Sequence, residues 1–236
     1  MAIGSGERVV FVHGTDSFGA AAWPHQHRLA GRYDCLFLRR HGFDLQADPL
    51  PTDFDEDARI VGGHLGAGAH VVAHAQGAVA AMMAAVEHPD KVLSLTLFEP
   101  ACLSLTADLP ATQAYRQRLE PLFAARRELT DEEYQREFVR LVVGAEALPL
   151  ATAADRAQAK RARLQAPPWN APLHIVPGLP TLVVTGGWEP LYEEVAHYLA
   201  GTGAIHRHAG GHHRPQDSEQ GHALLEAFLA GKPLPD

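Results

Sequence analysis

The sequence predicts an α/β protein: a mostly parallel sheet of about six strands with helices on both faces. Six short runs, most of them apolar and the first rich in β-branched residues, recur along the chain, and helical patterns lie between most of them. The first, third and fifth runs are continuously apolar, as strands buried on both faces must be, rather than alternating. Several runs end in polar residues beside glycine or proline. In a parallel sheet such ends gather along one edge.

The strands are expected at residues 8–14 (RVVFVHG), 33–42 (YDCLFLRRHG), 69–77 (AHVVAHAQG), 91–100 (KVLSLTLFEP), 181–187 (TLVVTGG) and, more weakly, 204–211 (AIHRHAGG). Helical spacing covers 55–67, 78–88, 190–200 and 217–230. From 101 to 180 no strand pattern occurs. Three segments there read as helices: ATQAYRQRLEPLFAARREL, TDEEYQREFVRLVVGA and ATAADRAQAKRARLQA. Thr130 or Asp131 suits the N-cap of the second, with Glu133 placed to reach back to Thr130. The Pro-rich PPWNAPLHIVPGLP then returns the chain to the sheet. Residues 1–100 and 181–236 are read as one core, and 101–180 as a helical cap or lid. Such a lid would cover the edge where open α/β sheets bind ligands.

Composition narrows the function. A formal charge of −8 argues against nucleic acid, whose phosphates need a basic surface. No apolar run approaches the roughly 20 residues of a membrane span. The opening MAIGSGERVV has no basic region followed by an apolar core, so no secretory leader is expected. Two cysteines, Cys35 and Cys102, make no disulfide framework, which fits a cytoplasmic protein with reduced thiols. The 15 histidines are scattered without HExxH or CxxC spacing, so no metal site is expected. Without a P-loop, or GxGxxG after the first strand, no cofactor is expected either.

Chemistry-bearing residues sit at the strand ends: His13-Gly14-Thr15, His74-Ala75-Gln76-Gly77, Glu99-Pro100, Gly186-Gly187-Trp188-Glu189 and Gly210-Gly211-His212-His213-Arg214-Pro215. Acyl transfer needs a nucleophile, a base, an acid to hold the base, and donors for an oxyanion. In this order the chain resembles the α/β-hydrolase family over most of its length, from FVHG to GGHHRPQ. That family's nucleophile elbow reads G-x-S-x-G. The matching pentad is Ala73-His74-Ala75-Gln76-Gly77, with alanine in place of the first glycine and of the serine.

The resemblance implies the remaining roles. His213, before Arg214-Pro215-Gln216, is the expected base, with His212 as its competitor in register. Two acids are open: Glu99 after the fourth strand and Glu189 after the fifth. Glu99 is favoured because an apolar strand and Pro100 shield it from solvent. Glu189 precedes Pro190 and has a ready alternative role at a helix N-terminus. The oxyanion donors are expected to be backbone N–H groups of Gln76 and of Thr15 or Asp16. Expected substrate-lining residues are His13, Ser17, Phe18, Trp23, Leu103, Trp169, Trp188 and Tyr192, although each aromatic would serve equally as core.

Ala75 leaves three explanations open. A serine hydrolase has been deliberately changed to alanine so that it traps substrate; or a natural member binds a ligand without hydrolysis; or a lyase or isomerase uses His213 for proton transfer without acylation. The expected substrate is a small apolar carboxylic ester or lactone. The glutamate after the fourth strand is similar to that of lactone-cleaving members such as the fungal zearalenone lactonases.

Overall fold

A computed structural model describes residues 6–235; residues 1–5, where the stretch inspected for a leader begins, lie outside the described residues. Six strands form one sheet: β1 (Arg8–Val12), β2 (Asp34–Phe37), β3 (Ala69–His74), β4 (Val92–Phe98), β5 (Thr181–Thr185) and β6 (Ile205–His208). Their order is β2-β1-β3-β4-β5-β6, and every neighbouring pair is parallel. The chain winds outward in opposite senses from β1 and from β3, so the switch point of the sheet falls between them, beside the two ends that carry His13 and His74.

Strand alternation divides the core between two faces. Val10 and Val12 join one cluster, which holds α1 (Phe54–Gly63), α2 (Gly77–Glu87) and α6 (Pro190–Gly201). Val9 and Phe11 join the other, which holds α7 (Glu219–Leu229) and the segment around Trp23 and Leu29. α2 is apolar all round because it lies between the sheet and α1, and every residue from Gly77 to Ala85 is buried. The first helix is shorter than its sequence pattern, which ran to 67. It stops at Gly63, and Gly66 at φ +61° turns the chain toward β3.

Gly77 sets how closely α2 can start against β1. A Cβ there would lie 2.4 Å from the Val12 carbonyl oxygen and 2.5 Å from that of His13. Both obstacles are backbone and cannot swing aside. Gly77→Ala is expected to cost at least about 3 kcal/mol, or roughly 6–12 °C in a thermal melt. A melt within 2 °C of the parent, on the same rough scale, would show that α2 can slide.

Between β4 and β5 the chain forms α3 (Pro110–Ala125), α4 (Asp131–Val143) and α5 (Ala153–Leu164). α4 starts with a capping box in which Thr130 accepts from the Glu133 N–H and Glu133 accepts from the Thr130 N–H. Thr152 and Asp155 do the same for α5. Glu194 of α6 accepts the Ala111 and Thr112 N–H groups at 2.8 and 2.7 Å, so α6 caps the start of α3. Arg163 of α5 donates to Asp131 at 2.6 Å. No helix among the described residues is long and apolar enough to cross a membrane.

Candidate active site

Two non-glycine residues among those described have positive φ: Ala75 at +49° and Glu99 at +46°. Left-handed backbone costs an ordinary residue about 1–2 kcal/mol, so the surrounding fold must impose it. At Ala75 it does so from β4: the Ala75 N–H donates to the Phe98 carbonyl at 2.9 Å, and Ala101 donates to the Ala75 carbonyl at 3.1 Å. Glu99 is held from β5, its N–H donating to the Val184 carbonyl at 2.9 Å. Both turns thus sit where β3 and β4 leave the sheet. Ala75 is 7% exposed, with Gly14 directly beside it: a Cβ on Gly14 would come within 3.2 Å of the Ala75 Cβ.

The Glu99 carboxylate is fully buried. Its Oε1 accepts from the Gly186 N–H at 2.5 Å and its Oε2 from the Trp188 indole N–H at 3.2 Å. His213 Nδ1 stands 3.5 Å from Oε2. At that distance the two atoms face each other without a hydrogen bond, and His213 Nδ1 has no other hydrogen-bond partner among the described residues. His212, by contrast, is exposed, and its Nδ1 accepts from the Arg214 N–H at 3.0 Å. Glu189 is the N-cap position of α6, ahead of Pro190, and its side chain makes no cap hydrogen bond. The structure therefore groups Glu99 with His213 and leaves Glu189 and His212 outside that pair.

The loop carrying His213 is anchored twice. His74 Nε2 lies 2.8 Å from the His213 carbonyl, and since a carbonyl only accepts, this nitrogen carries the proton. Arg214 then ties the loop to the segment after β1, donating to Asp16 at 2.8 Å, Ser17 Oγ at 3.2 Å and the Ala22 carbonyl at 2.7 Å. The Ser17 hydroxyl and the Asp16 carboxylate are thus engaged with protein. The Thr15 carbonyl accepts from Gln158 of α5 at 2.5 Å, and the Gln76 amide donates to the Ala166 carbonyl at 3.2 Å. Among the described residues no backbone hydrogen bond engages the N–H of Gln76, Thr15 or Asp16.

Beneath this edge lies a buried network that the sequence did not disclose. Arg40 donates to the Gly14 carbonyl at 3.0 Å, to Asp57 of α1 at 3.1 Å and to Gln165 at 3.4 Å. Its N–H also donates to His13 Nε2 at 3.1 Å, leaving His13 Nδ1 to donate to the Gly14 carbonyl at 2.8 Å. His13 is therefore a fully buried brace for the Gly14 turn and not a lining residue. Trp23 is likewise corrected: it packs on Phe11 and Phe98 in the cluster on the opposite face. Leu103 is fully buried, and Trp169 packs edge-on to Phe123, so both are core. Phe18 lies under the Arg161 guanidinium, 4.7 Å from its ring centre.

Trp188 and Tyr192 do line space beside the histidine. A cleft of about 380 Å³ is walled by Val142, Trp188, Tyr192, Gly211, His212 and His213. The Tyr192 ring lies 5.2 Å from the His213 ring. Burial pushes the Tyr192 hydroxyl well above its ordinary pKa, so it stays a neutral donor. Val142 comes from α4, so the helical insertion supplies one wall. Among the described residues one group has metal-ligand spacing, Glu193, His206 and His208, and it shares no side chain with this cleft.

The buried histidines make stability depend on pH. Burial foremost, then the His213 side chain, drives the His74 pKa down to about 3. Burial and then Arg40 push His13 well below its usual value. Unfolded imidazoles take up protons below about pH 6.5, whereas these two in the fold do not until far lower. The unfolded chain thus binds more protons in acid, and the stability present above pH 6.5 is lost as pH falls. His74 should cost about 2 kcal/mol by pH 5, and His13 adds to the loss in the same direction. The urea midpoint is expected to fall clearly between pH 7 and 5, and an unchanged midpoint would mean these imidazoles are not held neutral.

No curated protein matches the chain. An α/β hydrolase from Sphaerobacter thermophilus is 22% identical, covering 96% of this chain and 93% of its own, at a TM-score of 0.63. A Bacillus megaterium epoxide hydrolase is 16% identical over 98% of this chain and 95% of its own, also at 0.63. MenH from S. aureus is 15% identical over 95% and 94%, at 0.65. These identities speak for the fold alone. The sequence profile of the alpha/beta hydrolase family, however, matches residues 9–227, which takes in all six strands but for Arg8, and both non-glycine positive-φ turns. On that match, and on a parallel sheet whose strand ends converge on one edge, the chain belongs to the alpha/beta hydrolase family.

Proposed function

We propose that the site is built to cleave a small apolar carboxylic ester or lactone, with position 75 as the nucleophile position. The observation that carries this is the pairing of a left-handed turn at Ala75 with a buried Glu99 carboxylate facing His213 Nδ1. With Nδ1 turned to Glu99, the Nε2 of His213 is the base. The N–H groups of Gln76 and of Thr15 or Asp16 are the oxyanion donors, and they are free to bind because no backbone acceptor competes for them. α3, α4 and α5 act as the lid. The apolar wall of Val142, Trp188 and Tyr192 suits a substrate with little charge.

Alanine carries no nucleophile, so the chain as it stands binds such a substrate without acylation. Neither Gln76 nor a water held by His213 replaces a serine alkoxide, and only the residual rate of a triad knockout is expected. The test is Ala75→Ser assayed on a panel of chromogenic esters and lactones. Turnover that depends on the added hydroxyl supports the proposal. A folded but inert Ala75→Ser overturns it.

A further inference from the structure

The far edge of the sheet carries a second group of polar side chains. β6 is the last strand, and residues two apart on a strand point the same way, so His206 and His208 share a face. Glu193 of α6 reaches both: its Oε2 lies 2.8 Å from His208 Nε2 and 3.7 Å from His206 Nε2. All three donor atoms lie within 4.8 Å of one another. A tetrahedral zinc with ligand bonds of about 2.0–2.1 Å needs its donors about 3.4 Å apart. Small side-chain rotations bring this group to that spacing.

The surroundings fit a metal. The second oxygen of Glu193 accepts from the Gly187 N–H at 3.2 Å, which orients the carboxylate and leaves Oε2 for a cation. Thr185 Oγ1 lies 2.7 Å from His206 Nε2, and a metal would displace this contact together with the Glu193–His208 hydrogen bond. The His197 ring stands edge-on to His206 at 5.5 Å, a further imidazole at the margin. The His208 side chain is 61% exposed, so the group opens to solvent and has room for water as a fourth ligand.

We propose that Glu193, His206 and His208 form a binding site for a late first-row divalent cation, zinc foremost, with water completing its shell. Two imidazoles and a carboxylate are the donor set that zinc takes and that magnesium and calcium do not favour. The ion would fasten α6 to β6. It would also fix Glu193, which holds Gly187, next to the Trp188 whose indole donates to Glu99. The site is thus a brace for the turn beneath the Glu99 carboxylate. It is independent of the ester-cleaving proposal, since it needs no substrate. HExxH and CxxC spacings do not reveal it, because its two histidines are spaced for a strand.

The full chain, stripped with a chelator, is titrated with zinc chloride by calorimetry near pH 7.5, where exposed imidazoles are about nine-tenths neutral. One zinc per chain is expected, with a thermal midpoint that rises on loading. His208→Ala changes an exposed side chain and should leave the fold intact. It is expected to weaken zinc binding at least about 100-fold and to abolish the midpoint rise. Glu193→Gln should weaken binding similarly. Cobalt in place of zinc should give visible absorption bands in the parent and not in His208→Ala. An absence of one-to-one binding would overturn the proposal. So would equal affinity in the parent and His208→Ala, which would put zinc on other histidines.

Discussion

Ala75→Ser is expected to raise ester or lactone turnover by roughly 10⁴- to 10⁶-fold, the scale on which removing a triad nucleophile acts elsewhere. The backbone needs no change for this. Ala75 already sits at φ +49°, held by hydrogen bonds from the end of β4, and serine tolerates that conformation as alanine does. The one added atom is a hydroxyl on a Cβ at a site edge that is 7% exposed. Gly14 leaves the space beside it open, because a side chain there would come within 3.2 Å of the Ala75 Cβ. Acylation followed by slower deacylation should appear as a burst of chromophore equal to the enzyme present. A steady rate without a burst would indicate that deacylation is fast. Ala75→Ser with native stability and no turnover above the parent on any ester or lactone would remove position 75 from the chemistry.

Much of the fold was legible because its central strands are buried on both faces. RVVFV, HVVAH and TLVVT carry a signal that survives without tertiary knowledge, since a strand covered on both faces must be apolar throughout. Helix ends are less legible: the pattern of α1 continues past Gly63 to 67, while the helix ends at Gly63 and the chain turns at Gly66. The placement of Ala75 and Glu99 just past strand ends was legible, and their shared positive φ was not, since nothing in an alanine or glutamate announces it. The brace beneath them was hidden for another reason. A charged residue in a loop normally faces water, and Arg40 is buried only because Asp57, the Gly14 carbonyl and Gln165 converge on it from distant segments. The burial of His13, Trp23, Leu103 and Trp169 is not legible in the sequence, because position along the chain does not say which way a side chain turns.

The acid can be identified in the Ala75→Ser background. Glu99→Gln is expected to lower kcat about 10⁴-fold while leaving the protein folded. The reason lies in donor and acceptor geometry. Glu99 presents two oxygens, one to the Gly186 N–H and one to the Trp188 indole N–H, with His213 Nδ1 closest to the second. In glutamine one of those oxygens becomes an NH₂ group. With its oxygen kept on Gly186, the NH₂ faces His213 Nδ1, and the imidazole must move its proton to Nε2. That tautomer cannot take a proton from a serine. Glu189→Gln has no such consequence, because Glu189 stands at the start of α6 without a histidine partner. It should leave kcat unchanged and cost at most about 1 kcal/mol through the helix dipole. The two variants therefore make opposite forecasts. Should Glu189→Gln lose turnover while Glu99→Gln keeps it, the Gly186 and Trp188 donors would belong to a carboxylate that only supports the turn, and His213 would have to reach its acid by a rearranged β5–α6 loop.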